Sequence, residues 1–184
     1  MKTLFSAAHT FALIAHGVQK YGQKPYHAHL FDVVGVLKRF VDWETLTQEM
    51  IDAAWLHDVL EDTPHTRDHL ERMFGKRTVD LVHAVTNEKG PNRKARGLLT
   101  YPKIRETSGA IIIKLSDRIA NVENCVSHDR IGKRPGKLFN MYLREKPDFE
   151  AELRERCRGE GAVGALMWKH LDQLFEEGQS YGSV

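Results

Sequence analysis

Apolar residues recur along this chain at helical spacing, and they almost nowhere alternate as they would in a half-buried strand. Leu4, Phe5, Ala8, Phe11, Ala12 and Ala15 form one such stripe and predict a helix over 3–20. Tyr21-Gly22-Gln23-Lys24-Pro25 interrupts it. Pro25 is placed to open a second helix, since its missing N–H costs nothing in a first turn. That helix carries His29, Val33, Val36, Leu37 and Phe40. Thr45-Leu46-Thr47-Gln48 reads as a capping box for a third helix, which runs to about Leu60 and holds Met50, Ile51, Ala54, Trp55 and Leu56. Shorter helices are predicted over 66–73, ended by Gly75, and over 76–86. Residues 87–99 contain two glycines, a proline and four basic residues, and predict a mobile loop. The isoleucines at 111–113 favour a strand locally. Leu115, Ile119 and Val122 continue them at helical spacing, so a helix over 108–125 is expected. A Gly/Pro turn at 132–136 and helices near 137–146, 148–157 and 162–177 complete the pattern. The expected fold class is all-α, a single helical domain over 1–184 without repeats.

Composition narrows the function classes. A chain of 184 residues suits one domain with a sizeable core, and 41% hydrophobic with 28% charged residues is ordinary for a globular protein. No apolar stretch approaches the roughly 20 residues that cross a bilayer, so no membrane partner is expected. The first eight residues resemble a short signal peptide, but His9 and His16 interrupt the apolar run and the helical period carries on through it. Cys125 and Cys157 lack the close spacing of a metal pair and read as thiols of a reducing, cytoplasmic compartment. A net charge of +2 is too small to imply a nucleic-acid partner. Charge is uneven locally, however. Lys89, Arg93, Lys94, Arg96, Lys103 and Arg105 face Glu88 alone among acids, which is either a solvated loop or a surface for a phosphate-rich substrate.

The chemistry concentrates in Ala53-Ala-Trp-Leu-His57-Asp58-Val-Leu-Glu61-Asp62-Thr63. On a continuous helix, His57 stands over Glu61 and Asp58 over Asp62, giving two adjacent columns on one face. Pro64 turns Thr63 away from helical dihedrals and stops the helix. Two carboxylates at a helix C-terminus oppose the macrodipole by about 0.3–1 kcal/mol each, a cost that a nearby divalent cation outweighs. His-Asp alone carries little weight, because a second copy, His128-Asp129, precedes a Gly/Pro segment and reads as a loop. Two ligands do not hold a catalytic metal tightly. The further candidates are His29, which taken alone reads first as a hydrogen-bonded helix histidine, and Asp117, which could equally pair with Lys114 or Arg118.

In the order His, His-Asp, Asp, the chain resembles the HD superfamily of metal-dependent phosphohydrolases. Within it, the chain is similar to the hydrolase domain of RelA/SpoT-type proteins and to small stand-alone alarmone hydrolases. The resemblance covers about residues 5–125 and leaves the C-terminal helices of 137–177 unmatched. It rests on Pro25-Tyr26-X-X-His29, on Ala54 to Thr63, on Phe74-Gly75 with Leu81-Val82 and Val85-Thr86, and on Lys114-Leu-Ser-Asp117-Arg118-Ile-Ala-Asn121. It implies metal ligation by His29, His57, Asp58 and Asp117, usually of Mn²⁺, with Glu61 and Asp62 as catalytic carboxylates. It also implies that Asn121 lies in a nucleotide pocket. Arg118 then has a phosphate or supporting role, or forms a salt bridge that positions Asp58 or Asp117. The implied activity is guanosine-3′,5′-bis(diphosphate) 3′-pyrophosphohydrolase, in a hydrolase-only chain, since only about 60 residues follow Asn121. Two other readings stand beside it: an HD phosphohydrolase of another phosphorylated nucleotide, and a non-catalytic nucleotide-binding domain.

The family usually places an Arg-Lys pair in the loop before Pro-Tyr to hold the nucleotide. Here that loop is Gln19-Lys20-Tyr21-Gly22-Gln23-Lys24, so Lys20 and Lys24 are the remaining candidates, with Lys94 and Arg96 from the basic segment. Tyr21 is placed either to stack on a base or to pack at the rim. His27, two residues from His29, points elsewhere on a helix and is not expected to be a co-ligand.

Overall fold

The isoleucine run that favours a strand locally sits instead in the longest helix of the molecule. In a computed structural model, residues 2–132 and 136–181 are described, without the side chains of 128–132, 158 and 160. Their order is α1 (Ala7–His16), β1 (Lys20–Tyr21), β2 (Lys24–Pro25), α2 (His27–Phe40), α3 (Gln48–Leu56), α4 (Val59–Asp62), α5 (Arg67–Phe74) and α6 (Lys76–Val85). There follow α7 (Arg93–Glu106), α8 (Ala110–Gly132), α9 (Lys137–Leu153), a 3₁₀ turn over Arg156–Glu160 and α10 (Gly161–Ser180). The fold is all-α, apart from an antiparallel two-residue ladder that pairs Lys20 with Pro25 and Tyr21 with Lys24.

α8 is the central post. It packs against α2 and α10, while α3 lies between α1, α2 and α6. Ile113, Leu115, Ile119 and Val122, the residues that decided for helix, are all fully buried on it. Trp55 of α3 is buried too, and its indole N–H donates to the Leu4 carbonyl at 2.7 Å. Burying side chains of this kind is worth about 1.5–3 kcal/mol each, which is why the apolar stripes located the helices.

Several boundaries differ from those predicted, each for a local reason. α1 spans 7–16 rather than 3–20, because Gly17 leaves the helix at φ +49° and the ladder follows. Pro25 sits in β2 rather than opening α2, which begins at His27. The cap of α3 is Thr47, whose side chain accepts from the Met50 N–H, whereas the Thr45 hydroxyl bonds the Asp42 carbonyl. Residues 93–99 of the predicted mobile loop belong instead to α7, started by Asn92 accepting from the Ala95 N–H at 2.9 Å. α8 carries the backbone through 128–132, so the second His-Asp pair lies on a helix and not in a loop. Of the predicted turn at 132–136, residues 133–135 lie outside the described residues. α9 merges two predicted helices, with Pro147 inside it.

The difference that matters most for function is a break at His57-Asp58. α3 ends at Leu56, Asp58 adopts φ −102° and ψ −2°, and α4 is a single turn. The two columns on one continuous helix therefore do not exist, and neither does a long macrodipole for Glu61 and Asp62 to oppose. Thr63 is extended before Pro64, as expected.

Candidate metal centre

Breaking the helix turns His57 and Asp58 inward, toward groups from two other helices. α2 supplies His29 from its first turn, and α8 supplies Asp117. Nε2 of His29 lies 3.2 Å from Nε2 of His57 and 3.4 Å from Oδ1 of Asp117. Oδ2 of Asp58 lies 3.0 Å from His57 Nε2 and 3.7 Å from His29 Nε2. One ligand atom each from His29, His57 and Asp117 falls within 4.8 Å of the other two, and Asp58 adds a carboxylate from the His57 side.

This donor set fits a divalent ion. The Ala54 carbonyl can only accept, so the 2.8 Å contact fixes the His57 proton on Nδ1 and leaves its Nε2 lone pair facing the cluster. Two imidazoles with two carboxylates suit a divalent transition metal. The electrostatics agree. Burial alone would push the His57 imidazole down, but the Asp58 and Asp117 carboxylates outweigh it and raise it to about 9. Burial opposes ionisation of the two acids, yet His57 holds Asp58 well below the usual carboxylate range, and Lys114 with His29 does the same for Asp117. A cluster that attracts a proton so strongly offers the same field to a cation.

Three tyrosines and three amides surround the ligands and the neighbouring carboxylates Glu61 and Asp62. The Tyr26 hydroxyl donates to Oδ2 of Asp58. The Tyr21 ring stacks on His29, with centroids 4.8 Å apart and planes 22° apart, and its hydroxyl donates to Oδ1 of Asn121 at 2.8 Å. Burial pushes the Tyr21, Tyr26 and Tyr142 hydroxyls well above their ordinary range, so they remain donors. Asn121 donates from Nδ2 to Oδ1 of Asp117 at 2.6 Å. It therefore braces Asp117 instead of projecting a free amide N–H into the cleft. Glu61 is held by Asn87, whose backbone N–H reaches Oε2 at 3.2 Å and whose Nδ2 reaches it at 3.0 Å. Asp62 accepts from Gln19 Nε2 at 2.8 Å, and Gln19 Oε1 in turn accepts from His16 Nδ1 at 2.9 Å.

All of these acids line one cleft of about 710 Å³, which runs from the His-Asp cluster to the facing sides of α7 and α9. Of the predicted substrate contacts, Lys94, Arg96, Arg118 and Asn121 line it. Lys20 and Lys24 do not; both are exposed on the ladder while Tyr21 turns in. Arg118 bridges neither Asp58 nor Asp117. Its Nη2 lies 3.0 Å from Glu145 Oε2, its guanidinium lies 4.6 Å from the Tyr142 and Phe149 rings, and its Nη1 is buried without a hydrogen-bond partner. Lys114 is the residue that pairs with Asp117, at 3.2 Å. Lys94 pairs with Asp148 at 3.0 Å, whereas Arg96 has no ion-pair partner among the described residues.

Asn87, Arg144 and Glu145 also line this cleft and Gln19 holds Asp62, and sequence reasoning missed all four. A lone amide in a loop leaves no periodic signal. The spacing of Glu145, Asp148 and Glu152 along α9 did carry one, as an acidic stripe that meets Arg93, Lys94 and Arg105 of α7.

The sequence pattern of the HD domain matches residues 7–135 of the chain. Over 121 residues the chain is 36% identical to a guanosine-3′,5′-bis(diphosphate) 3′-pyrophosphohydrolase of Aquifex aeolicus, covering 63% of this chain and 17% of that protein. Over 195 aligned positions it is 32% identical to a probable enzyme of the same name from Synechocystis, covering 98% and 23%. Over 103 residues it is 31% identical to the Drosophila melanogaster protein of that name, MESH1, covering 55% and 56%. The chain thus spans between about a sixth and just over half of the length of these relatives. A solved structure, of a metazoan ortholog of SpoT that hydrolyzes ppGpp, shares the fold with a TM-score of 0.71 over 96% of both chains at 24% identity.

Proposed function

The chain belongs to the HD domain family, and from that premise we propose that it is a metal-dependent phosphohydrolase of guanosine tetra- or pentaphosphate. The reaction removes the 3′-pyrophosphate and yields GDP or GTP plus pyrophosphate. The observation that carries this reading is one cleft that holds the His-Asp cluster, both spare carboxylates and a wall of cations. His29, His57, Asp58 and Asp117 are the residues to hold the ion, with Mn²⁺ as the proposed metal. Such an ion supplies Lewis acidity toward a water and a phosphoryl oxygen.

The chain's own residues then do the rest. Glu61 and Asp62 divide the proton transfer: one takes a proton from the water that attacks the 3′-phosphorus, and the other gives a proton to the ribose 3′-oxygen as the P–O bond to it breaks. Asn87 and Gln19 fix where these carboxylates point. Arg96 and Arg118 offer charge to the substrate's phosphates from the opposite wall. The reaction belongs, in this reading, to the cytoplasm.

Purified protein with Mn²⁺, offered a panel of phosphorylated nucleotides with products identified, should release pyrophosphate from guanosine tetraphosphate. Hydrolysis of another nucleotide with none of that one would replace the substrate. The position of Lys20 and Lys24 outside the cleft favours keeping that second reading. Binding of guanosine tetraphosphate without turnover in metal-loaded protein would instead make the chain a nucleotide-binding domain, against which the placement of Glu61 and Asp62 on the cleft argues.

A further inference from the structure

Successive residues of an extended strand point to opposite sides, and the short ladder uses this to send one side chain inward. Lys20 stays in solvent, while Tyr21 enters the cleft and lies flat on His29. His29 needs such a support. Its Nδ1 is buried without a hydrogen-bond partner, so nothing equivalent to the Ala54 carbonyl under His57 fixes its ring. The Tyr21 hydroxyl continues to a second ligand. It donates to Oδ1 of Asn121 at 2.8 Å, and Asn121 Nδ2 donates at 2.6 Å to Oδ1 of Asp117, the oxygen that faces His29 at 3.4 Å. Because a carboxylate only accepts, the amide orientation of Asn121 is fixed, and its oxygen is left for Tyr21.

We propose that Tyr21 is a positioning residue of the metal centre, acting on His29 through its ring and on Asp117 through Asn121. The inference rests on the reading of His29 and Asp117 as ligands and not on the identity of the nucleotide. Tyr21 and Asn121 hold each other, so the Tyr21 proton and both Asn121 amide protons are already committed within the site. Partners behind metal ligands of this kind set affinity by fixing ligand orientation, typically by 10–100-fold.

The test is a titration of metal-stripped protein with Mn²⁺, followed by calorimetry or by the electron paramagnetic resonance of the free ion. Tyr21→Phe keeps the ring and loses the hydroxyl, and is expected to weaken Mn²⁺ binding about tenfold while the metal-free protein melts as wild type does. Tyr21→Leu, which loses the stack as well, should bind more weakly still. Adding Tyr21→Phe to Asn121→Ala should cost little beyond Asn121→Ala alone, since both act along one path. Unchanged Mn²⁺ affinity in Tyr21→Phe with a raised KM for nucleotide would assign the hydroxyl to substrate and overturn the proposal. Unchanged affinity with a lowered melting temperature would make the residue merely structural and overturn it equally. A weakened Mn²⁺ site in a protein that does not turn over guanosine tetraphosphate would leave the proposal standing and remove the substrate reading instead.

Discussion

Glu61 and Asp62 leave the same turn of α4 and are held by different partners, Asn87 for the first and Gln19 for the second. His57 and Asp58, just before them, face the buried cluster. Ligand and catalyst roles should therefore separate by mutation. Glu61→Gln is expected to keep bound metal and lose turnover by about 10²–10⁴-fold, the usual contribution of a general acid or base. Near-wild-type turnover in that variant would refute the role. Asp58→Asn or His57→Ala should abolish both metal and activity, and elemental analysis of the purified variants checks the first half. The four proposed ligands were legible in sequence because few side chains can do their chemistry and each stands in an apolar stretch of the chain. Their supports were not. Gln19 and Asn87 are single amides in loops, and what makes them relevant is a distance across the fold that no spacing encodes.

At the scale of elements, α9 is tied to α7 by Arg93–Glu145, Lys94–Asp148 and Arg105–Glu152, and to α8 by Arg118–Glu145. Glu145 sits between two guanidiniums. Burial opposes its ionisation, but Arg93 and Arg118 hold its carboxyl below the usual range. Glu145→Gln leaves the buried Arg118 without its counter-charge and should cost about 2–3 kcal/mol, a fall in melting temperature of about 4–12 °C. Because the folded pKa is depressed, Glu145's share of stability is present above its unfolded pKa and lost as pH falls through the folded one. The variant should accordingly show a shallower loss of melting temperature on acidification than wild type. The same pairs sort the cleft's cations. Arg96→Ala should raise KM for the nucleotide about tenfold with little change in kcat, and Lys94→Ala, already engaged with Asp148, should raise it less. Equal or absent effects would return the basic segment to a solvated surface. The start of α7 escaped the sequence pattern because its first turns are basic and Leu98 and Leu99 are exposed, so the buried positions begin only at Thr100, Tyr101 and Ile104. The break at Asp58 escaped because Val59 and Leu60 continue the apolar period of α3 across it.

At the scale of the whole molecule, the proposed ion joins α2, the α3–α4 junction and α8, three parts of the chain that also share the apolar core and, between α2 and α8, the Arg39–Glu123 ion pair. Binding to the folded state alone stabilises it by about 2.7 kcal/mol when free metal is about 100 times its dissociation constant. Chelation should then lower the melting temperature by about 5–10 °C, and Asp117→Asn should be insensitive to the chelator. The all-α class could be read from periodicity alone, whereas the helix order around α8 could not, since each apolar stripe says that a face is buried and not against what. We propose that one divalent ion in the His29, His57, Asp58 and Asp117 cluster switches on pyrophosphate release. The most direct measurement is a titration of metal-stripped protein with Mn²⁺ in the presence of guanosine tetraphosphate, recording pyrophosphate. Release should begin from nothing and reach its plateau at one tightly bound Mn²⁺ per chain. Full release from chelated protein, or a plateau unrelated to metal bound at these four residues, would contradict it.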